Sequence, residues 1–135
     1  MVKVYFGKKG TGKTVKMIES ADELAVNGTK TVIFIDSGKE LMYRLNHKIR
    51  FININEFPLK GSKMLEGYIY GILSCNYDIG SVFIDRFSKI TGEDPDQFEE
   101  FFNAIEHLSE TADVDFYISI SGDEKEIPEY LKKYI

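Results

Sequence analysis

Eight consecutive residues constrain this chain more than anything else in it. Gly7-Lys8-Lys9-Gly10-Thr11-Gly12-Lys13-Thr14 matches the pattern G-x-x-x-x-G-K-[ST] at every fixed position. A β-rich run, Val2-Lys3-Val4-Tyr5-Phe6, precedes it and an amphipathic stretch follows it, which is the context such a loop requires. Each residue type has a physical reason. Glycines let the backbone curl around an anion with its N–H groups turned inward. The positive end of the following helix faces the same anion. Lys13 is placed to neutralise β- and γ-phosphates, and Thr14 to set its hydroxyl on Mg²⁺. Gly7, Lys8, Lys9, Gly10, Thr11, Gly12, Lys13 and Thr14 are therefore the expected phosphate-binding set, with residues 8–12 supplying backbone N–H groups.

The remaining chain alternates short apolar runs with helical periods, which predicts an α/β domain with a mainly parallel sheet. After the loop, Thr14, Met17, Ile18, Ala21, Leu24 and Ala25 share a helical face, and Asn27-Gly28 is a stop. Residues 31–35 read as a strand buried on both faces and closed by Asp36. Residues 39–46 are expected to form a short helix and 48–55 a weaker strand. A helix is expected over 62–75, with Met64, Leu65, Tyr68, Ile69, Ile72 and Leu73 inward. Gly67 and Gly71 beside that face would permit close packing. Residues 81–85 form a strand ending in an acid, and Asp94-Pro95-Asp96-Gln97 is a helix start. Phe98, Phe101, Phe102, Ile105 and Leu108 then line one face, 114–120 make the last strand, and 127–134 a short terminal helix.

Composition narrows the possible partners. The 135 residues suit one domain, 1–135, and 43% hydrophobic content is enough for a core. With Lys plus Arg at 17 and Asp plus Glu at 22, the net charge of −5 argues against non-specific binding to nucleic acid or anionic membrane. The single cysteine, Cys75, allows no internal disulfide, and it is expected to pack at a helix end. The run from Val4 to Gly7 is too short for a signal-peptide core, and no apolar run is long enough to span a bilayer. The cytoplasm is the expected compartment. His47, His107 and Cys75 are too far apart in sequence to suggest a zinc site or a Cys–His nucleophile.

Val82-Phe83-Ile84-Asp85 has the form of a Walker B element, an apolar strand whose terminal acid holds Mg²⁺. Asp36, after Ile33-Phe34-Ile35, is the competing acid; both belong at the carboxyl edge of the sheet, where ligands bind in such folds. A dinucleotide fingerprint is set aside, because Val15 stands where the third glycine of G-x-G-x-x-G would be.

Together these residues resemble the ATP-binding core of RecA-like P-loop ATPases over about residues 1–121. The resemblance implies a three-layer P-loop NTPase fold with a five-stranded sheet in the order 3-2-4-5-1 and with ATP and Mg²⁺ as ligands. It places the last strand between the first and the Asp85 strand, with Ser119 or Ser121 as a polar sensor of the γ-phosphate. The first strand then becomes a sheet edge, which the tail 126–135 would cover. Two departures bear on hydrolysis. Where the family carries a water-activating Glu after the second strand, Gly38 stands; where many relatives carry Glu after the Walker B acid, Arg86 stands. Glu40 and Glu56 are the possible substitutes, and a weak or partner-dependent ATPase is the expectation. A protein partner or a second copy would complete the site.

A second resemblance is to ParA/MinD-type ATPases, through Lys8, which follows the first glycine where those proteins carry an extra lysine. It implies a nucleotide-dependent switch, with Asp36 as a switch acid. Lys9 replaces a usual glycine, and the chain is shorter than those proteins. A small-molecule kinase remains a third class, with only 37–62 and 86–96 free to form a lid or acceptor site. A guanine-reading N/T-K-x-D motif is absent, so the resemblance favours ATP over GTP.

Overall fold

The alternation of strand and helix periods closes into a three-layer arrangement in the computed structural model, which describes residues 1–135. Five strands, β1 (Val2–Gly7), β2 (Thr31–Asp36), β3 (Arg50–Asn53), β4 (Ile79–Ile84) and β5 (Asp115–Ser121), form one sheet. Every pairing is parallel, and the order is β1-β5-β4-β2-β3. The helices are α1 (Lys13–Asn27), α2 (Gly61–Cys75), α3 (Phe87–Thr91) and α4 (Glu99–Ala112). None is long and apolar enough to cross a membrane.

Side chains alternate along each strand and so feed two cores. On one face α1 lays Met17, Ile18, Ala21 and Ala25 over Val32, Phe34 and Phe83. Four rings run beneath it in register, one per strand: Phe51, Phe34, Phe83 and Tyr117, with centroids 6.3, 5.7 and 4.3 Å apart. Each such pair adds about 0.5–1.5 kcal/mol beyond its buried area. On the other face Ile33, Ile35, Val82, Ile84, Phe116 and Ile118 meet Leu65 and Ile69 of α2, Phe87 of α3, and Phe101, Phe102 and Ile105 of α4.

Several elements are shorter than their periodicity implies. The helix expected over 39–46 is a single 3-10 turn, Glu40–Tyr43, and Asp22 on α1 takes the Asn46 N–H just beyond it at 2.8 Å. The strand expected over 48–55 stops at Asn53, whose side chain accepts the Asn55 N–H and turns the chain into a 3-10 segment, Ile54–Glu56. The box at Asp94 and Gln97 forms, but on a 3-10 turn, and α4 starts at Glu99. On α2, Leu65 and Ile69 are buried, yet Met64 faces solvent. Gly67 and Gly71 also lie on its open side, where a Cβ would touch nothing. Cys75 ends α2 exposed rather than packed.

The tail Glu129–Tyr134 packs beside β1, with Leu131 and Tyr134 entering the same core as Val4. Glu106 on α4 accepts from Tyr134 Oη at 2.7 Å and from Lys133 Nζ at 3.1 Å. These two partners, Tyr134 foremost, hold the Glu106 carboxyl below its ordinary value. A carboxyl lowered on folding adds stability that is complete above its unfolded value, 4.5, and is lost as pH falls through the lower folded value. Glu106→Gln is expected to flatten that part of the acid-unfolding profile followed by circular dichroism, by lowering stability in the neutral range while leaving the acid end nearly unchanged.

Candidate functional site

The carboxyl ends of the parallel strands gather the chemistry-bearing residues. β1 stops at Gly7 and α1 starts at Lys13, so residues 8–12 form the loop between them. Gly10 and Gly12 both take φ +85°, a left-handed conformation that an L side chain resists. Gly12 caps α1 without a side chain, and no acid stands in the first turn. The first turn of α1 thus sets no acidic side chain of its own against the helix's positive end, which favours an anion there. Thr11 braces the loop by donating its hydroxyl to the Lys8 carbonyl at 2.7 Å. Lys13 folds back over it and donates to the carbonyls of Gly7 at 2.9 Å and Lys8 at 2.8 Å. Burial lowers the Lys13 ammonium from its ordinary range, and the nearby Asp85 charge opposes that shift.

Behind the loop lies Asp85, one residue past β4 and 1% exposed. Its carboxylate accepts the Thr14 hydroxyl at 2.9 Å and, through its other oxygen, a short bond from Ser119 of β5. It forms no salt bridge. A buried carboxylate served only by hydroxyls is a donor set suited to a hard cation. Ser119 also accepts the Arg86 N–H at 2.9 Å, so one serine joins the two residues at the end of β4.

The competing acid has a different employment. Asp36 is fully buried and receives Arg86 Nε at 2.8 Å and Nη2 at 2.9 Å, with the Ser37 N–H at 2.7 Å. Burial pushes its carboxyl up, against the pull of Arg86 and Ser37. The forked bond to Asp36 raises Arg86 further, which keeps the guanidinium charged. Arg86 holds φ +55°, a strained backbone for a non-glycine residue.

Two clefts open on this cluster. The larger, ≈ 610 Å³, is lined by the loop, by Asp85, Ser119 and Ser121, and by Arg86, Ser88 and Lys89 at the start of α3. The smaller, ≈ 320 Å³, is lined by Thr14, Asp36, Glu40, Leu41, Asp85 and Arg86. The structure brings Lys9, Gly10, Gly12, Lys13, Thr14 and Asp85 to one opening. Lys8 contributes its carbonyl but does not line that opening, and Thr11 acts as a brace. Glu40 curls back over Gly38 and lies 3.8 Å from Arg86 with its side chain mostly in solvent. Glu56 is exposed and lines neither cleft.

Sequence reasoning missed α3 and with it Ser88 and Lys89, and it missed the Asp36–Arg86 pair. Gly92, at φ +71° and closing α3 onto Ser88 O, was the available signal for a helix end there. No protein-family model matches the chain, and no curated protein matches its sequence.

Proposed function

We propose that this chain is a Mg-ATP-binding P-loop protein of RecA-like type, and that its own ATP hydrolysis is weak until a partner completes the site. One observation carries this reading: Lys13 is folded over a glycine-rich loop at an uncapped helix end, beside a Thr14 hydroxyl bonded to a buried, unpaired Asp85. The sheet order β1-β5-β4-β2-β3, read from the β3 edge as 3-2-4-5-1, supports the RecA-like resemblance. Lys13 and the loop N–H groups would hold the phosphates, while Thr14 and Asp85 would hold Mg²⁺. When bound, Mg²⁺ draws charge off the phosphate oxygens. Hydrolysis would break the bond between the β–γ bridging oxygen and the γ-phosphorus as water attacks, releasing ADP and phosphate. A base for that water is the weak point. Arg86 follows Asp85, Asp36 is committed to Arg86, and Glu40, the remaining carboxylate on the smaller cleft, is drawn toward Arg86.

A nucleotide-dependent switch of ParA/MinD kind is the second reading. Arg86 ties the ends of β2 and β4 together and reaches Glu40, on the same 3-10 turn as the exposed Met42 and Tyr43. A change at the phosphates is thereby connected to apolar side chains facing solvent.

Thermal unfolding with Mg-ATP, with Mg-ADP and without nucleotide tests the site. A ligand that binds only the folded chain adds about 2.7 kcal/mol at one hundred times Kd. Wild type is expected to gain this with ATP, and Lys13→Ala to lose the gain while keeping its unliganded midpoint. Equal midpoints with and without nucleotide at millimolar concentration would withdraw the reading.

A further inference from the structure

We infer that the larger cleft selects a triphosphate chain and is indifferent to the base attached to it. The inference rests on the nucleotide reading above and narrows it. Only one hydrophobic residue, Val15, lines this cleft, and no aromatic ring does. Four cations, Lys9, Lys13, Arg86 and Lys89, face one carboxylate, Asp85. That is the charge of a polyanion site, without an aromatic ring on which a purine would stack.

The rings that the fold leaves exposed stand elsewhere. Tyr77 precedes β4 at the amino end of the sheet, Tyr70 is on α2, and Phe57 leans on Tyr68. Tyr43 lines neither cleft. At the rim of the loop, Phe6 is half-buried against the core and its ring lies under Gly122, while the Glu124 carboxylate stands by Gly7. No ring therefore lines either cleft.

Neutral polar side chains that could read a base edge are few. The cleft contains no Asn or Gln, and the Thr14 and Ser119 hydroxyls are spent on Asp85. What remains is Ser121 and the unpartnered, buried Ser88 Oγ. A hydroxyl both donates and accepts, so it satisfies an adenine amino group and a guanine carbonyl alike. Large discrimination arises where fixed donors or acceptors would be left unpaired by the wrong ligand, and a rotating hydroxyl is not such a group.

Competition for one fluorescent ATP analogue, in excess Mg²⁺, tests this with ATP, GTP, CTP, UTP and inorganic tripolyphosphate on the full chain. The four nucleotides are expected to agree within about threefold in Kd, and tripolyphosphate to compete within about tenfold of ATP. Lys89→Ala is expected to weaken all five by a common factor, since a point charge reads phosphate and not base. A preference of tenfold or more for one base overturns the inference and leaves the P-loop reading standing. So does failure of tripolyphosphate to compete at one hundredfold excess over ATP. Absence of binding by every ligand, the analogue included, overturns both.

Discussion

Arg86→Ala is expected to destabilise the fold by about 3 kcal/mol, the lower end of what losing one partner of a buried ion pair costs. The loss comes from what is left behind. Asp36 is fully buried and would forfeit the donors at 2.8 and 2.9 Å, keeping only the Ser37 N–H. The guanidinium side is 36% exposed, so water entering the vacated space moderates the penalty. Two companions locate the effect. Arg86→Gly breaks the same pair but relieves the left-handed backbone at φ +55°, and is expected to be about 1 kcal/mol milder than alanine. Asp36→Leu combined with Arg86→Met removes both charges and is expected to recover most of the loss. Urea unfolding of the four proteins decides it; a stability for Arg86→Ala within about 0.5 kcal/mol of wild type would show that Asp36 finds other support.

Phe87→Ala should cost about 3–5 kcal/mol, the range for emptying an aromatic site in a packed core. Phe87 is fully buried, with its ring edge-on to Phe98 at 4.5 Å and tilted against Phe101 at 4.7 Å. It is also the first residue of α3, flanked by Arg86 and Ser88, two residues of the larger cleft's wall. Its truncation is therefore expected to weaken nucleotide binding as well as stability, although its ring lines neither cleft. Phe87→Leu keeps most of the volume and is expected to lose less than about 1.5 kcal/mol. Denaturant unfolding with and without Mg-ATP separates the two effects. Undiminished ATP affinity in Phe87→Ala would mean that the wall of the cleft does not depend on this anchor.

The loop was legible because its needs are local. Glycine at positions 10 and 12 answers a positive φ at each, and Lys13 and Thr14 sit where the first helical turn carries them. The runs at 31–35 and 81–85 were legible as strands because burial on both faces leaves little room for polar residues. What depends on distant parts of the chain was not legible. Asp36 and Arg86 meet because β2 and β4 are neighbours, and no spacing in the sequence announces that. Their pairing decides which acid is left for Thr14. α3 has five residues, too few for a period to show. Met64 lies next to the buried Leu65, but α2 packs α3 and α4 along a narrower stripe than its apolar residues suggest. Cys75 ends α2 on its exposed side, and the segment 39–46 makes only a 3-10 turn, with Asn46 beyond it tied to Asp22 of α1.

The pairing of β1 with β5 has a consequence for how the protein comes into being. Val2 is opposite Phe116 and Gly7 opposite Ser121, so the strand that leads into the glycine-rich loop finds its only sheet neighbour in β5. Contacts between residues so far apart in sequence form late, because the entropy of closing the intervening loop must be met first. During synthesis the loop's residues emerge before β5, and β1 has no sheet neighbour until that strand has followed them out. Ser119, which helps hold Asp85 in place, arrives with that same strand. Competence of the loop and the acid thus begins with one late event, the insertion of β5 between β1 and β4.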